Sequence, residues 1–174
     1  MPWEFDILYA IQEWHGPMLD KVMVILSTLG DGGILWIALA LLLIAIPSTR
    51  KGGIQMMIAI VLTFIVGNLI LKNCVDRLRP CQIDETVALL VRIPSDSSFP
   101  SGHTMNSITA ATSLCLYNWK AGVPAMVLAL LIAFSRLYNF VHFPTDVLAG
   151  IVVGVCGAFV AKWLVQKKWK REDC

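Results

Sequence analysis

Charge is what this chain has least of. Lys, Arg, Asp and Glu make up 15% of its 174 residues, where a soluble domain carries about 25%. Hydrophobic residues reach 57% and mean hydropathy is +0.70, which excludes an ordinary soluble enzyme and is the balance of a membrane protein. The formal net charge of +2 is small, and nothing points to a nucleic-acid partner. Cysteine is sparse and irregular: Cys74, Cys81, Cys115, Cys156 and Cys174 form an odd set, without the Cys/His spacing of a zinc site. Cys115 and Cys156 lie inside apolar runs and read as packing residues, and Cys74 and Cys81 flank the first motif, where a disulfide is open but unsupported. The N-terminus, Met-Pro-Trp-Glu-Phe-Asp, is acidic rather than basic, so no cleavable leader is expected. The length leaves room for one domain, taken as 1–174, and nothing in it specifies an oligomeric state.

Long apolar runs dominate instead, at roughly 18–29, 33–47, 53–71, 104–119, 122–141 and 145–166. About 20 residues cross the hydrocarbon core as a helix, so an all-α, polytopic transmembrane bundle of about six spans is expected. The first two runs are short and are separated by Gly30-Asp31-Gly32-Gly33. That reads as a tight turn between two short or tilted helices, with one kinked helix over 19–46, and hence five spans, as the alternative. Residues 4–14 place Phe5, Leu8 and Ile11 on one side before Gly16-Pro17 breaks the pattern, which suits an N-terminal helix lying in the interface. Trp3, Trp14, Trp119, Trp163 and Trp169 read as headgroup-level anchors.

Three clusters stand at the ends of apolar runs: Lys72-x6-Arg79-Pro80, Pro100-Ser101-Gly102-His103, and Ser135-Arg136-x5-His142-x3-Asp146. Ionisable groups at a membrane boundary are costly and mark function. Between Arg79 and Ser101 the only apolar stretch, Val87 to Val91, is too short to cross, so the first two clusters share a side. Two crossings, turning at 118–122, return the third cluster to that side. The opposite side carries Arg50-Lys51, Lys120 and the basic tail 167–171. By the positive-inside rule that face is cytoplasmic. Both termini are expected there, with the clusters on the extracytoplasmic face of a bacterial plasma membrane.

The residue types fit phosphoryl chemistry. Lys72, Arg79 and Arg136 supply cations matched to phosphate oxygens. The Ser101 and Gly102 amides open a helix, where backbone N–H groups favour an anion, and Gly102 allows close approach. His142 and Asp146 are one helical turn apart, with Pro144 suited to the first turn. A carboxylate on one imidazole nitrogen fixes the tautomer and frees the other to attack. His103 has no partner nearby in sequence and suits the proton donor to a leaving group.

Together the clusters resemble the three signature motifs of the type 2 phosphatidic acid phosphatase (PAP2) superfamily, K-x6-RP, PSGH and SR-x5-H-x3-D, with every signature residue present over 72–146. The resemblance implies a lipid phosphatase in which His142 forms a phosphohistidine, Asp146 orients it and His103 is the general acid. Lys72, Arg79, Ser101, Gly102 and Arg136 would cradle the phosphate, with no metal and no cofactor. The substrate would be a lipid phosphate or diphosphate, best undecaprenyl diphosphate. Phosphatidate or phosphatidylglycerophosphate hydrolysis, lipid phosphotransfer and a small anion transporter are the alternatives. Outside the motifs, His15 reads as interfacial and Asn68 as a helix-packing hydrogen bond. Asp20-Lys21 and Asp76-Arg77 read as local charge pairs.

Overall fold

The computed structural model describes residues 2–172, with side chains through 167; the side chains of Lys168, Trp169, Lys170 and Arg171, and the whole of Cys174, lie outside the described residues. Helix α1, Pro2–Gln12, turns a stripe of Glu4, Leu8 and Ile11 inward, the 4/3 spacing of one helical face. Gly16 precedes α2, Pro17–Leu29, with Pro17 in its first turn, where its missing N–H costs nothing.

A short 3₁₀ turn, Asp31–Gly33, separates α2 from α3, Ile34–Ala45. Gly32 and Gly33 take φ of 59° and 69°, a region cheap only for residues without a Cβ. The bend between α2 and α3 is 43°, so the chain continues across rather than turning back. The 30–33 segment is therefore a bend between two helices, not a hairpin.

Helix α4, Arg50–Phe64, passes through a π-helical segment, Ile65–Leu71, into α5, Lys72–Val75. After α6, Pro80–Ile83, an irregular connection runs to α7, Gly102–Tyr117. Asn118 caps α8, Trp119–Tyr138, by accepting from the Lys120 N–H at 3.1 Å. Helix α9 runs Pro144–Glu172. Three stretches are long and apolar enough to cross a bilayer, Arg50–Ile83, Trp119–Tyr138 and Pro144–Lys167, and the bent α2–α3 pair makes a fourth. Helix α7, 16 residues long, packs among them with most of its surface buried, so three to four candidate spans stand where about six were expected.

Helix α1 lies at the motif end of the bundle, where Glu4 meets Arg77 and Gln12 donates to the Tyr138 carbonyl at 3.0 Å. Helix α9 starts at that end and, at 1.5 Å per residue, carries the chain about 40 Å to the other.

The core lies where α3, α4, α7 and α8 meet, around Trp36, Met56, Ile60, Ile108 and Ile132. Trp36 is buried and donates to Ser107 Oγ at 2.9 Å, satisfying its indole without water. Helix α9 packs backbone to backbone on α7: a Cβ at Gly154 would stand 2.9 Å from the Met105 carbonyl, so a side chain there would pry the helices apart. Trp3, Trp14, Trp119 and Trp163 are exposed, as anchors require. Cys74, Cys81, Cys115 and Cys156 are all free; Cys156 is exposed rather than packed inside.

Candidate active site

The three motifs converge on one cavity of ≈ 240 Å³, lined by Lys72, Arg79, Gly102, His103, Arg136 and His142, with Asn68, Asp96 and Asn106 among its other walls. Each residue arrives by a different element. Lys72 opens α5 directly after the π segment, Arg79 precedes Pro80 at the start of α6, and Gly102 and His103 begin α7. Arg136 closes the last turn of α8. His142 sits in the short α8–α9 connection, and Phe140 within it takes a left-handed φ of 56°. A bulky residue adopts that conformation only under constraint, here its burial against Leu8, Val141 and Phe143.

Arg79 is 1% exposed. Its Nη1 donates to the Val141 carbonyl at 2.8 Å and lies 3.1 Å from His142 Nε2. Because a guanidinium can only donate, His142 Nε2 accepts, and the ring proton resides on Nδ1. That nitrogen faces Asp146 Oδ2 at 3.7 Å. The geometry thus selects the tautomer in which Nε2 keeps its lone pair. Burial holds the His142 imidazole well below its ordinary range, aided by the Arg79 and Arg136 charges and opposed by Asp146. The ring is neutral.

Asp146 is fully buried and over-determined. Its Oδ2 accepts from Ser98 Oγ at 2.5 Å and from the Phe143 N–H at 2.8 Å, and its Oδ1 accepts from Arg77 at 2.6 Å. Ser98 Oγ also lies 3.5 Å from His142 Nδ1. Sequence reasoning named neither Ser98 nor Arg77 here. The Asp76-Arg77 local pair gives way to this contact because α5 ends at Asp76 in a left-handed turn, φ 38°.

His103 does have a carboxylate partner. Its Nε2 lies 2.8 Å from Asp31 Oδ1, and Asp31 comes from the α2–α3 break, 72 residues away. The close approach requires Gly30, where a Cβ would stand 2.7 Å from the His103 ring. Turn residues thus deliver a carboxylate to the second imidazole.

A third carboxylate sits among the cations. Asp96 pairs with Lys72 through one oxygen and with Arg79 Nη2 at 2.7 Å through the other. Burial opposes its charge, but Lys72 and Arg79 hold its carboxyl below the usual range. Nothing in its sequence surroundings signals the role. Ser101 departs from expectation as well: it is fully buried beneath the cavity, its hydroxyl accepts from Thr104 at 3.0 Å, and its N–H is taken by the Asp146 carbonyl at 3.1 Å. At the start of α7 it is Gly102 and His103 that line the cavity.

Arg136 is buried, donates to Ser27 Oγ through Nη1, and leaves its Nε without a partner. His15 stacks on Tyr138, centroids 4.3 Å apart, and Asp20 accepts from the Tyr138 hydroxyl at 2.6 Å, so neither is a merely local feature. Asn68 makes no helix-packing hydrogen bond among the described residues and lines the cavity. Among the described residues, no group of three His, Cys, Asp or Glu is arranged to hold a metal.

Known proteins resemble this chain in sequence and fold. A profile of the PAP2 superfamily covers residues 52–170. An undecaprenyl-diphosphatase of Sulfolobus acidocaldarius is 35% identical over 147 residues, 82% of this chain and 69% of that protein. Undecaprenyl-diphosphatase BcrC of Bacillus subtilis is 29% identical over 162 residues, 90% of this chain and 81% of that protein. Among solved structures, LpxE of Aquifex aeolicus superposes with a TM-score of 0.79 at 28% identity, over 90% of this chain and 93% of that one. With its motifs gathered in one cavity and its sequence matched over most of its length, the chain belongs to the PAP2 superfamily.

Proposed function

We propose undecaprenyl diphosphate as the substrate of this membrane lipid phosphatase, hydrolysed through a phosphohistidine on His142. One observation carries the chemistry: three cations and two carboxylate-partnered imidazoles line a single cavity at one end of an apolar bundle. The substrate rests on the names of the relatives in Sulfolobus acidocaldarius and Bacillus subtilis. We place the reaction in one membrane-embedded domain, 1–174.

The terminal phosphate replaces Asp96 on Lys72 and Arg79, and Arg136 completes the cradle. Arg79 releases His142 Nε2 to the incoming phosphorus. Nε2 attacks in line while Nδ1–H points at Asp146, whose negative charge offsets the positive charge developing on the ring. His103, paired with Asp31, gives its proton to the leaving oxygen, then takes one from water, which cleaves the N–P bond and releases phosphate. Fixed positive charge around the five-coordinate phosphorus stabilises both transition states.

The site faces the extracytoplasmic side in this reading, because Arg50, Lys51 and Lys120 lie at the far end of the bundle. The C-terminal end is then cytoplasmic and α1 lies outside with the site. Half-exposed Phe64 lines the cavity and a neighbouring cleft with Asn68, Lys72 and Asp96, which offers an apolar tail a path from the bilayer.

Phosphate release from purified protein tests this on undecaprenyl diphosphate, phosphatidate and phosphatidylglycerophosphate. The expected result is the highest kcat/KM on the polyprenyl diphosphate and none in His142→Ala. Preference for a glycerolipid overturns the substrate. Transfer of the phosphoryl group to a lipid acceptor instead of water marks a phosphotransferase, and anion flux without turnover marks a transporter.

A further inference from the structure

Arg77 occupies a spacer position of the first motif, yet it reaches the third. Its Nη1 donates to Asp146 Oδ1 at 2.6 Å and to Thr145 Oγ1 at 2.7 Å, and its Nη2 donates to Glu4 Oε2 at 2.6 Å. Its guanidinium lies over the Phe143 ring, 4.0 Å from the centroid. Glu4, on α1, is fully buried, and its other oxygen accepts from the Thr145 hydroxyl at 2.6 Å. Phe5 packs edge-on against Phe143, centroids 5.3 Å apart. We propose that Arg77 and Glu4 are positioning residues for Asp146, so that the N-terminal helix is part of the apparatus that aims His142. The proposal rests on the phosphohistidine reading.

The physical case is one of constraint. A carboxylate orients an imidazole only if its own rotation is fixed. Ser98 and the Phe143 N–H hold Oδ2, but among the described residues Oδ1 has only Arg77. Without that guanidinium, Oδ1 is a buried, unsatisfied charge and the carboxylate turns to find another donor. Arg77 is in turn fixed at its second nitrogen by Glu4, which forces the planar fork to present Nη1 to Asp146. A buried triad of this kind is weak as a source of stability. Its position, end-on to the carboxylate beside His142, is what positioning requires.

The effect should be smaller than loss of the carboxylate itself, since Ser98 and the Phe143 N–H remain. Outer-shell partners that orient metal ligands commonly carry about ten- to a hundredfold, and by analogy that range is expected in kcat for Arg77→Met, with KM within about twofold. The loss should be equal on a lipid diphosphate and on an activated aryl phosphate, because attack by His142 is common to both. Arg77→Lys should restore part of the rate.

A double-mutant cycle in the full-length chain in detergent is the deciding experiment. If Arg77 acts through Asp146, Arg77→Met costs less than about threefold once Asp146→Asn is present, and the smaller loss in Glu4→Gln vanishes in the Arg77→Met background. Multiplicative losses, or a raised KM with kcat intact, overturn the proposal. Should Arg77→Met fail to yield folded protein, Glu4→Gln and Arg77→Lys run the same cycle. Vanadate affinity by calorimetry supplies an arm that needs no lipid: the same non-additivity is expected there, and its absence counts against the proposal. A wild-type chain that hydrolyses no lipid phosphate, or a His142→Ala chain that still does, condemns the phosphohistidine reading instead.

Discussion

In the proposed reaction, Asp96 holds the place that the phosphate takes. It bridges Lys72 and Arg79, so an incoming anion either displaces it or suffers its charge. Two unit charges about 4 Å apart interact by about 4 kcal/mol at an effective dielectric of 20. Asp96 is 49% exposed, so water screens roughly half of this, leaving about 2 kcal/mol, or about thirtyfold in affinity. Asp96→Asn keeps the shape and some hydrogen bonding while removing the charge. Calorimetric titration with vanadate, a mimic of five-coordinate phosphorus, should therefore show about ten- to thirtyfold tighter binding in the variant. Its Tm should fall, because Lys72 and Arg79 lose their shared counter-charge. The turnover readout separates competition from scaffolding: kcat for the lipid changes little if Asp96 only competes. Weaker vanadate binding in Asp96→Asn would refute the reasoning and make Asp96 a scaffold that holds the two cations in place.

Asp31→Asn should slow hydrolysis of lipid diphosphate while leaving an activated aryl phosphate nearly unaffected, since the latter needs no proton from His103; equal losses on both would detach Asp31 from the leaving-group step. His142 is held neutral by burial while the unfolded imidazole titrates near about 6.5. The unfolded chain then binds the extra proton as pH falls below that value, so Tm should drop from pH 7 to 5. His142→Asn should flatten that decline, and an unchanged slope would place it elsewhere. Cys74 is exposed near the motif end and should react with an impermeant thiol reagent added to intact cells. Protection there, with labelling only after permeabilisation, would reverse the orientation.

What the sequence could show divides along a physical line. Apolar runs long enough to cross, and the Asn118 cap between two of them, are local features, and α4, α8 and α9 lie where the pattern places them. The motif residues were equally legible, because phosphate binding needs those side chains at helix ends. The 30–33 turn was visible, but its angle was not: glycines permit either a reversal or a 43° bend, and packing of α2 on α8 and of α3 on α4 chooses the bend. The partners of the motif residues were hidden for another reason. Asp31 and His103 are 72 apart, and Glu4 and Arg77 are 73 apart. No periodicity links such pairs, and only the fold brings them within reach. Ser101 shows the reverse case, a motif residue whose amide the fold commits to the Asp146 carbonyl.

The central claim is that His142 carries the phosphoryl group. The direct measurement is a rapid-quench trap of phosphoenzyme from a labelled activated aryl phosphate in His103→Ala, which slows the second step because the same imidazole activates the water. Peptide mass spectrometry should place an acid-labile phosphoryl group on His142 and find none in His142→Ala. Label on another residue, or steady turnover in His142→Ala, would contradict the account.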